Sequence, residues 1–155
     1  MALAIRLSSF EEVDIKILSR INHPSYSKKQ DDNGQTPLML AIGNENFYSS
    51  DYSLLISEKS DLEIKDKYGD TALLIAASVN PDVIEDLITL GADPTAKNNS
   101  GNNVLHIMAR KKEFFDIQCA LRVLPLSLLE DKNLRGLTPL DVMRERITEE
   151  KNYAL

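Results

Sequence analysis

The chain has 155 residues, 43% of them hydrophobic and 27% charged, and a formal net charge of −6. That composition belongs to one ordinary folded domain rather than to a disordered tract, and the lone Cys119 excludes an internal disulfide. No apolar run approaches the roughly 20 residues that span a bilayer, and Glu11 and Glu12 follow the start too soon for a secretory signal.

In chain order, the first segment is Leu3-Ala4-Ile5 followed by Phe10. It matches Leu40-Ala41-Ile42 followed by Phe47, and Val13, Ile15, Ile17, Leu18 and Ile21 provide the apolar positions of a second helix. Residues 1–30 therefore read as a partial repeat: a native cap, or the remainder of a longer array.

Four turns follow, centred on Gly34, Gly69, Gly101 and Gly136 and spaced 35, 32 and 35 residues apart. Each has Asp or Asn three residues before the glycine and Leu four residues after it: Asp31 and Leu38, Asp66 and Leu73, Asn98 and Leu105, Asn133 and Leu140. The glycine supplies a positive-φ position. Thr36, Thr71, Asn103 or Thr138, two residues on, is placed to cap a helix. Pro37 and Pro139 then suit the first helical position. Ala41 and Ala76, seven residues after their glycines, allow neighbouring helices to approach closely, with Met108 and Met143 in the later copies.

A second helix is clearest at Val83, Ile84, Leu87, Ile88 and Leu90, with Gly91 as its stop signal. Extra residues near Phe47 to Tyr52 and around Leu124 to Leu129 map to loops, and Pro125 ends a helix there. Cys119 reads as a small core residue on the third repeat's second helix. After Pro139 the helix carries charges where earlier copies have alanine, which suits an outward-facing end cap.

A period in the low thirties with this turn and helix start resembles the ankyrin-repeat family. The resemblance covers essentially the whole chain and departs from the Thr-Pro-Leu-His pattern at Ala72, Asn103 and Val104. Only His106 keeps the histidine, where the other copies have Met39, Leu74 and Asp141. It implies an all-α solenoid of helix-turn-helix units joined by β-turn loops. The expected organisation is a single array over 1–155: a partial repeat or cap at 1–30, units at 31–65, 66–97 and 98–132, and a C-terminal partial repeat or cap at 133–155. For His106 it implies a structural hydrogen bond between repeat loops.

Enzyme signals are missing from the sequence. Two histidines and one cysteine do not build a typical structural zinc site, and there is no glycine-rich phosphate loop or nucleophile elbow. His23, before Pro24, reads as a turn residue. No catalytic residue, cofactor or metal is expected. Residues 44–93 carry −8 and residues 94–128 carry +3, so the acidic middle argues against nucleic acid as the partner.

The resemblance implies a non-catalytic module that binds another protein through turn tips and the exposed face of each first helix. In this register the candidate residues are Lys67, Tyr68 and Asp70; Ser100 and Asn102; Arg110 and Lys111; Arg135 and Leu137. Tyr and Arg weigh most, because they combine contact area with polar groups. A monomer in a reducing, cytoplasmic setting is expected, with no membrane partner. Two other readings stand beside this one. The first is a targeting or substrate-recruiting module of a larger protein, including a host-directed effector of an intracellular bacterium or virus. The second is a self-associating scaffold.

Overall fold

The computed structural model describes residues 27–43, 59–111 and 122–153. The N-terminal partial repeat up to residue 26, the loop near Phe47 to Tyr52, His23 and Cys119 lie outside the described residues. Five α-helices are described: α1 (Pro37–Ile42), α2 (Ala72–Val79), α3 (Ile84–Thr89), α4 (Val104–Ala109) and α5 (Pro139–Tyr153). No strand occurs among the described residues, as expected for an all-α solenoid.

The four turns share one hydrogen-bond pattern, and its cause is the Asp or Asn that opens each of them. Asp66 Oδ1 accepts from the backbone N–H of Tyr68 at 2.8 Å and of Asp70 at 2.9 Å. Asp31 does the same for Asn33 and Gln35, Asn98 for Ser100 and Asn102, and Asn133 for Arg135 and Leu137. Such a short side chain satisfies two backbone donors that the tight turn would otherwise leave orphaned.

Adjacent turns are then stitched together. Lys67 N–H donates to the Asn33 carbonyl at 3.0 Å, Asn99 N–H to Tyr68 at 3.1 Å and Leu134 N–H to Ser100 at 3.0 Å. Side chains add rungs: Asn98 Nδ2 to Asp70 Oδ1 and Asn133 Nδ2 to Asn102 Oδ1, both 2.9 Å. The tips are therefore held in line by backbone geometry, whatever side chains they carry.

Each first helix starts where its turn ends. Asn103 Oδ1 accepts from His106 N–H at 3.1 Å, and Thr138 exchanges bonds with Asp141 in a capping box. Thr36 Oγ1 accepts from Met39 N–H at 3.4 Å, while Met39 Sδ accepts from Thr36 N–H. Thr71 departs from the expectation. It occupies the N-cap position of α2, yet its side chain makes no cap bond, and its buried hydroxyl has no partner among the described residues. Where Met39, His106 and Asp141 stand at the third position of their helices, α2 has Leu74, which has no acceptor to close a reciprocal box.

The two threonines should therefore respond oppositely to valine. Thr36→Val is expected to cost about 1 kcal/mol, as caps do. Thr71→Val is expected to cost nothing or to stabilise, because it removes an orphaned buried hydroxyl while keeping the shape. Urea unfolding of the two variants checks this, and an equal loss in both would refute it.

The first helices stack side by side, α1 on α2, α2 on α4 and α4 on α5, with α3 packed against α2. Leu38, Leu62, Leu73, Leu74 and Leu87 are enclosed in a continuous core, each contributing about 2 kcal/mol of apolar burial. Ala41 and Ala76 are fully buried, which keeps neighbouring helices close. Gly91 (φ 108°) ends α3: its N–H donates to Ile88 and that of Ala92 to Leu87, the paired bonds of a Schellman stop. The chain leaves its helix at Leu124, before Pro125, and makes a 3-10 turn at Leu126–Leu129. α5 runs for 15 residues, whereas α1 and α4 stop after 6.

Candidate functional site

The turns carry Lys67, Tyr68, Asp70, Ser100, Asn102, Arg135 and Leu137, while Arg110 and Lys111 follow α4, and the candidates divide into free and committed side chains. Tyr68 is free: at the third position of the second turn it is 61% exposed, with Lys67 over its ring. The Lys67 ammonium lies 5.0 Å from the ring centroid and donates to Asn33 Oδ1 at 2.6 Å, so it links two turns and steadies the tyrosine.

Asp70 and Asn102 are committed. Each accepts an amide from the next turn, and Asn102 is only 7% exposed. Burial holds the Asp70 carboxyl above the ordinary carboxylate range, opposed by the Asn98 amide bond. Leu137 is half-buried, and its carbonyl accepts from Asn133 N–H and from His106 Nε2, the latter at 2.8 Å. Ser100 is exposed, with its backbone engaged in the ladder.

Four candidates meet around one cavity. Ser100, Asn102, Arg110 and Arg135 line a groove of about 470 Å³ between the third and fourth turns and α5. Its other walls are Asn99, Asn133, Leu134, Val142, Glu145, Arg146 and Glu149. Lys67, Tyr68 and Asp70 sit along the strip at the second turn, outside this groove, and Lys111 and Leu137 do not line it. Arg135 is paired: its Nη2 lies 3.0 Å from Glu145, so the two charges largely cancel. Arg110 is exposed and has no side-chain partner among the described residues. Arg146 Nη1 donates to the Lys111 carbonyl.

The structure brings forward two further residues. Leu134, at the tip of the fourth turn, is 80% exposed. Arg146 is half-buried in the groove wall. An apolar residue between Asn133 and Arg135 at a turn tip is the local signal for the first. The second stands ten residues after its turn glycine, as Lys111 does, but its place in the groove depends on the packing of α5.

Beneath the groove a buried network joins the last two units. Asn103 Nδ2 donates to the Leu128 carbonyl at 3.0 Å and reaches Asp131 at 3.4 Å. Lys97, 2.9 Å from Asp131, draws that carboxyl below the usual range. His106 bridges from the start of α4 to the end of the fourth turn, as the family resemblance implied. No group of three or more potential metal ligands occurs among the described residues, and no helix among them is long and apolar enough to cross a membrane.

A family model of ankyrin repeats, in three copies, matches residues 3–98. The chain is also similar to NF-kappa-B inhibitor delta of Mus musculus, with 38% identity over 80 residues. That match covers 51% of this chain and 24% of the relative, so the chain spans about a quarter of that protein's length. The turns at Asn98–Asn102 and Asn133–Leu137 have the same hydrogen bonding as those inside the matched span, although the match ends at residue 98. With the family model covering well over half of its residues and the turn pattern continuing beyond, the chain belongs to the ankyrin-repeat family.

Proposed function

We propose that this chain is a non-catalytic interaction module that binds a partner protein through the strip of turn tips and first-helix faces. The observation that carries the reading is the hydrogen-bonded turn ladder, which holds Tyr68 and Leu134 exposed at the tips on an otherwise rigid edge. Large apolar side chains held out into solvent on a fixed scaffold bind at little entropic cost, because the surface is already ordered. Lys67 lies over the Tyr68 ring and the Leu134 side chain runs close to Gly101, yet both residues keep most of their surface exposed. Family membership supports the reading, and so does the relative, whose name makes it an inhibitor of NF-kappa-B.

The test is capture from cell lysate with the wild-type chain and with a Tyr68→Ala/Leu134→Ser variant of equal thermal stability. A protein enriched by wild type and lost by the variant is the expected result. Equal capture by both would refute binding through the tips.

A further inference from the structure

The groove between the third and fourth turns is basic on balance in an acidic chain. Its walls hold three arginines and two glutamates in a chain whose net charge is −6. Arg135 and Glu145 neutralise one another at 3.0 Å. That leaves Arg110 and Arg146 in the walls with one other carboxylate, Glu149, and no ion pair joins these three among the described residues.

Arg146 is also fixed in place. Its Nη1 donates to the Lys111 carbonyl, and its Nε is buried with no acceptor among the described residues. A half-buried guanidinium with such a contact has given up part of its rotamer freedom. It is pre-organised for an incoming carboxylate. Apolar surface lies beside it: Leu134 stands exposed at the rim and Val142 is buried in the wall. A volume of about 470 Å³ falls within the range of about 300–1,000 Å³ that takes a small ligand or a few side chains.

We propose that this groove takes an acidic peptide segment of the partner protein, its carboxylates on Arg110 and Arg146 and a neighbouring apolar side chain against Leu134 and Val142. The inference rests on the interaction-module reading and names the chemistry of its partner. It also divides the strip in two: charge selection in the groove, and a separate contact at Tyr68, outside it.

The test pans a display library of random peptides against the full chain. Enriched sequences are expected to pair carboxylates with an apolar residue. A fluorescent copy of the strongest sequence should bind about tenfold more weakly to Arg110→Glu, an exposed position whose change should leave folding intact. Its affinity should also fall as salt rises, because the contact is ionic and partly exposed. Arg146→Gln, checked for folding, should weaken the same peptide, while Leu126→Ser, at an exposed position outside the groove and the strip, should leave it nearly unchanged.

Enriched peptides without acidic bias, or peptides whose binding is indifferent to Arg110→Glu, would overturn the inference. If such peptides were instead lost with Tyr68→Ala, the strip would still be a binding surface and only its acidic specificity would fall. No enrichment at all would also overturn the inference, with lysate capture still deciding the wider reading. A labelled single-stranded RNA bound with the same dependence on Arg110 would reassign the groove to nucleic acid and overturn it as well.

Discussion

Gly69→Ala should destabilise the array by about 2–4 kcal/mol, whereas Gly136→Ala should cost only about 1–2 kcal/mol. Both glycines have φ near +75° (78° and 75°), where any side chain meets its own backbone, so both variants carry the smaller cost. Only Gly69 has a neighbour. A Cβ there would lie 2.7 Å from the backbone N of Asn99 and closer still to that residue's side chain, whereas at Gly136 nothing among the described residues lies within 4 Å. The Asn99 N–H is the donor that ties the third turn to Tyr68, so relieving the clash breaks or bends a ladder bond. In a stacked array each unit leans on its neighbours, and the loss falls on the coupling between units rather than on one turn. Urea unfolding with matched m-values measures the difference. Equal losses at the two glycines would mean that the ladder contributes no coupling at this junction.

The part of this structure that was legible in the sequence is the part set by local chemistry. An Asp or Asn three residues before a glycine can close only a small set of turns, and all four copies fold alike. Gly91 stopped α3 for the same local reason. Thr71 shows where such rules run out: the residue type is right for a cap, but a reciprocal box also depends on the side chain three residues on, and Leu74 cannot complete it.

The candidate residues divide along the same line. Register places Tyr68, Asp70, Ser100 and Asn102 at turn tips. It does not say that Asp70 and Asn102 accept amides from residues 28 and 31 positions away. Nor does it foresee that Arg135 pairs with Glu145 on the following helix, or that Arg110 and Arg146 share one cavity. Those facts belong to the stacking of whole units, and stacking is not written in any short window of sequence.

Acidification below about pH 6.5 should weaken this array through His106, and His106→Gln should flatten that part of the pH dependence. The imidazole is fully buried. Its Nε2 lies 2.8 Å from the Leu137 carbonyl, which can only accept, so Nε2 carries the proton. Nδ1 accepts from Asn103 N–H at 3.3 Å, which describes a neutral ring. Asn103 Oδ1, 2.7 Å from Nδ1, could receive a second proton's hydrogen bond, but burial outweighs that help. Burial lowers the His106 pKa below its ordinary value, against the opposing pull of the Leu137 bond and of Asp131 and with a smaller push from Lys97. The folded chain therefore refuses a proton that the unfolded chain accepts. The stabilisation is complete above the ordinary histidine pKa and is lost as pH falls from there through the lowered one, with a slope of at most about 1.4 kcal/mol per pH unit. The variant should be less stable than wild type at pH 7.5, having lost a buried bridge, and the gap should narrow by pH 5.5. Thermal melts at both values compare the two, and because every other titrating group is shared, the difference in slope isolates His106; parallel slopes would refute the assignment. His106 also joins the start of α4 to the end of the fourth turn, the elements on either side of the groove that holds Arg110 and Arg146. Protonation leaves the Leu137 bond in place, because Nε2 is its donor in both forms, and removes the bond from Asn103 N–H to Nδ1, so the loss falls on the cap of α4 rather than on the groove.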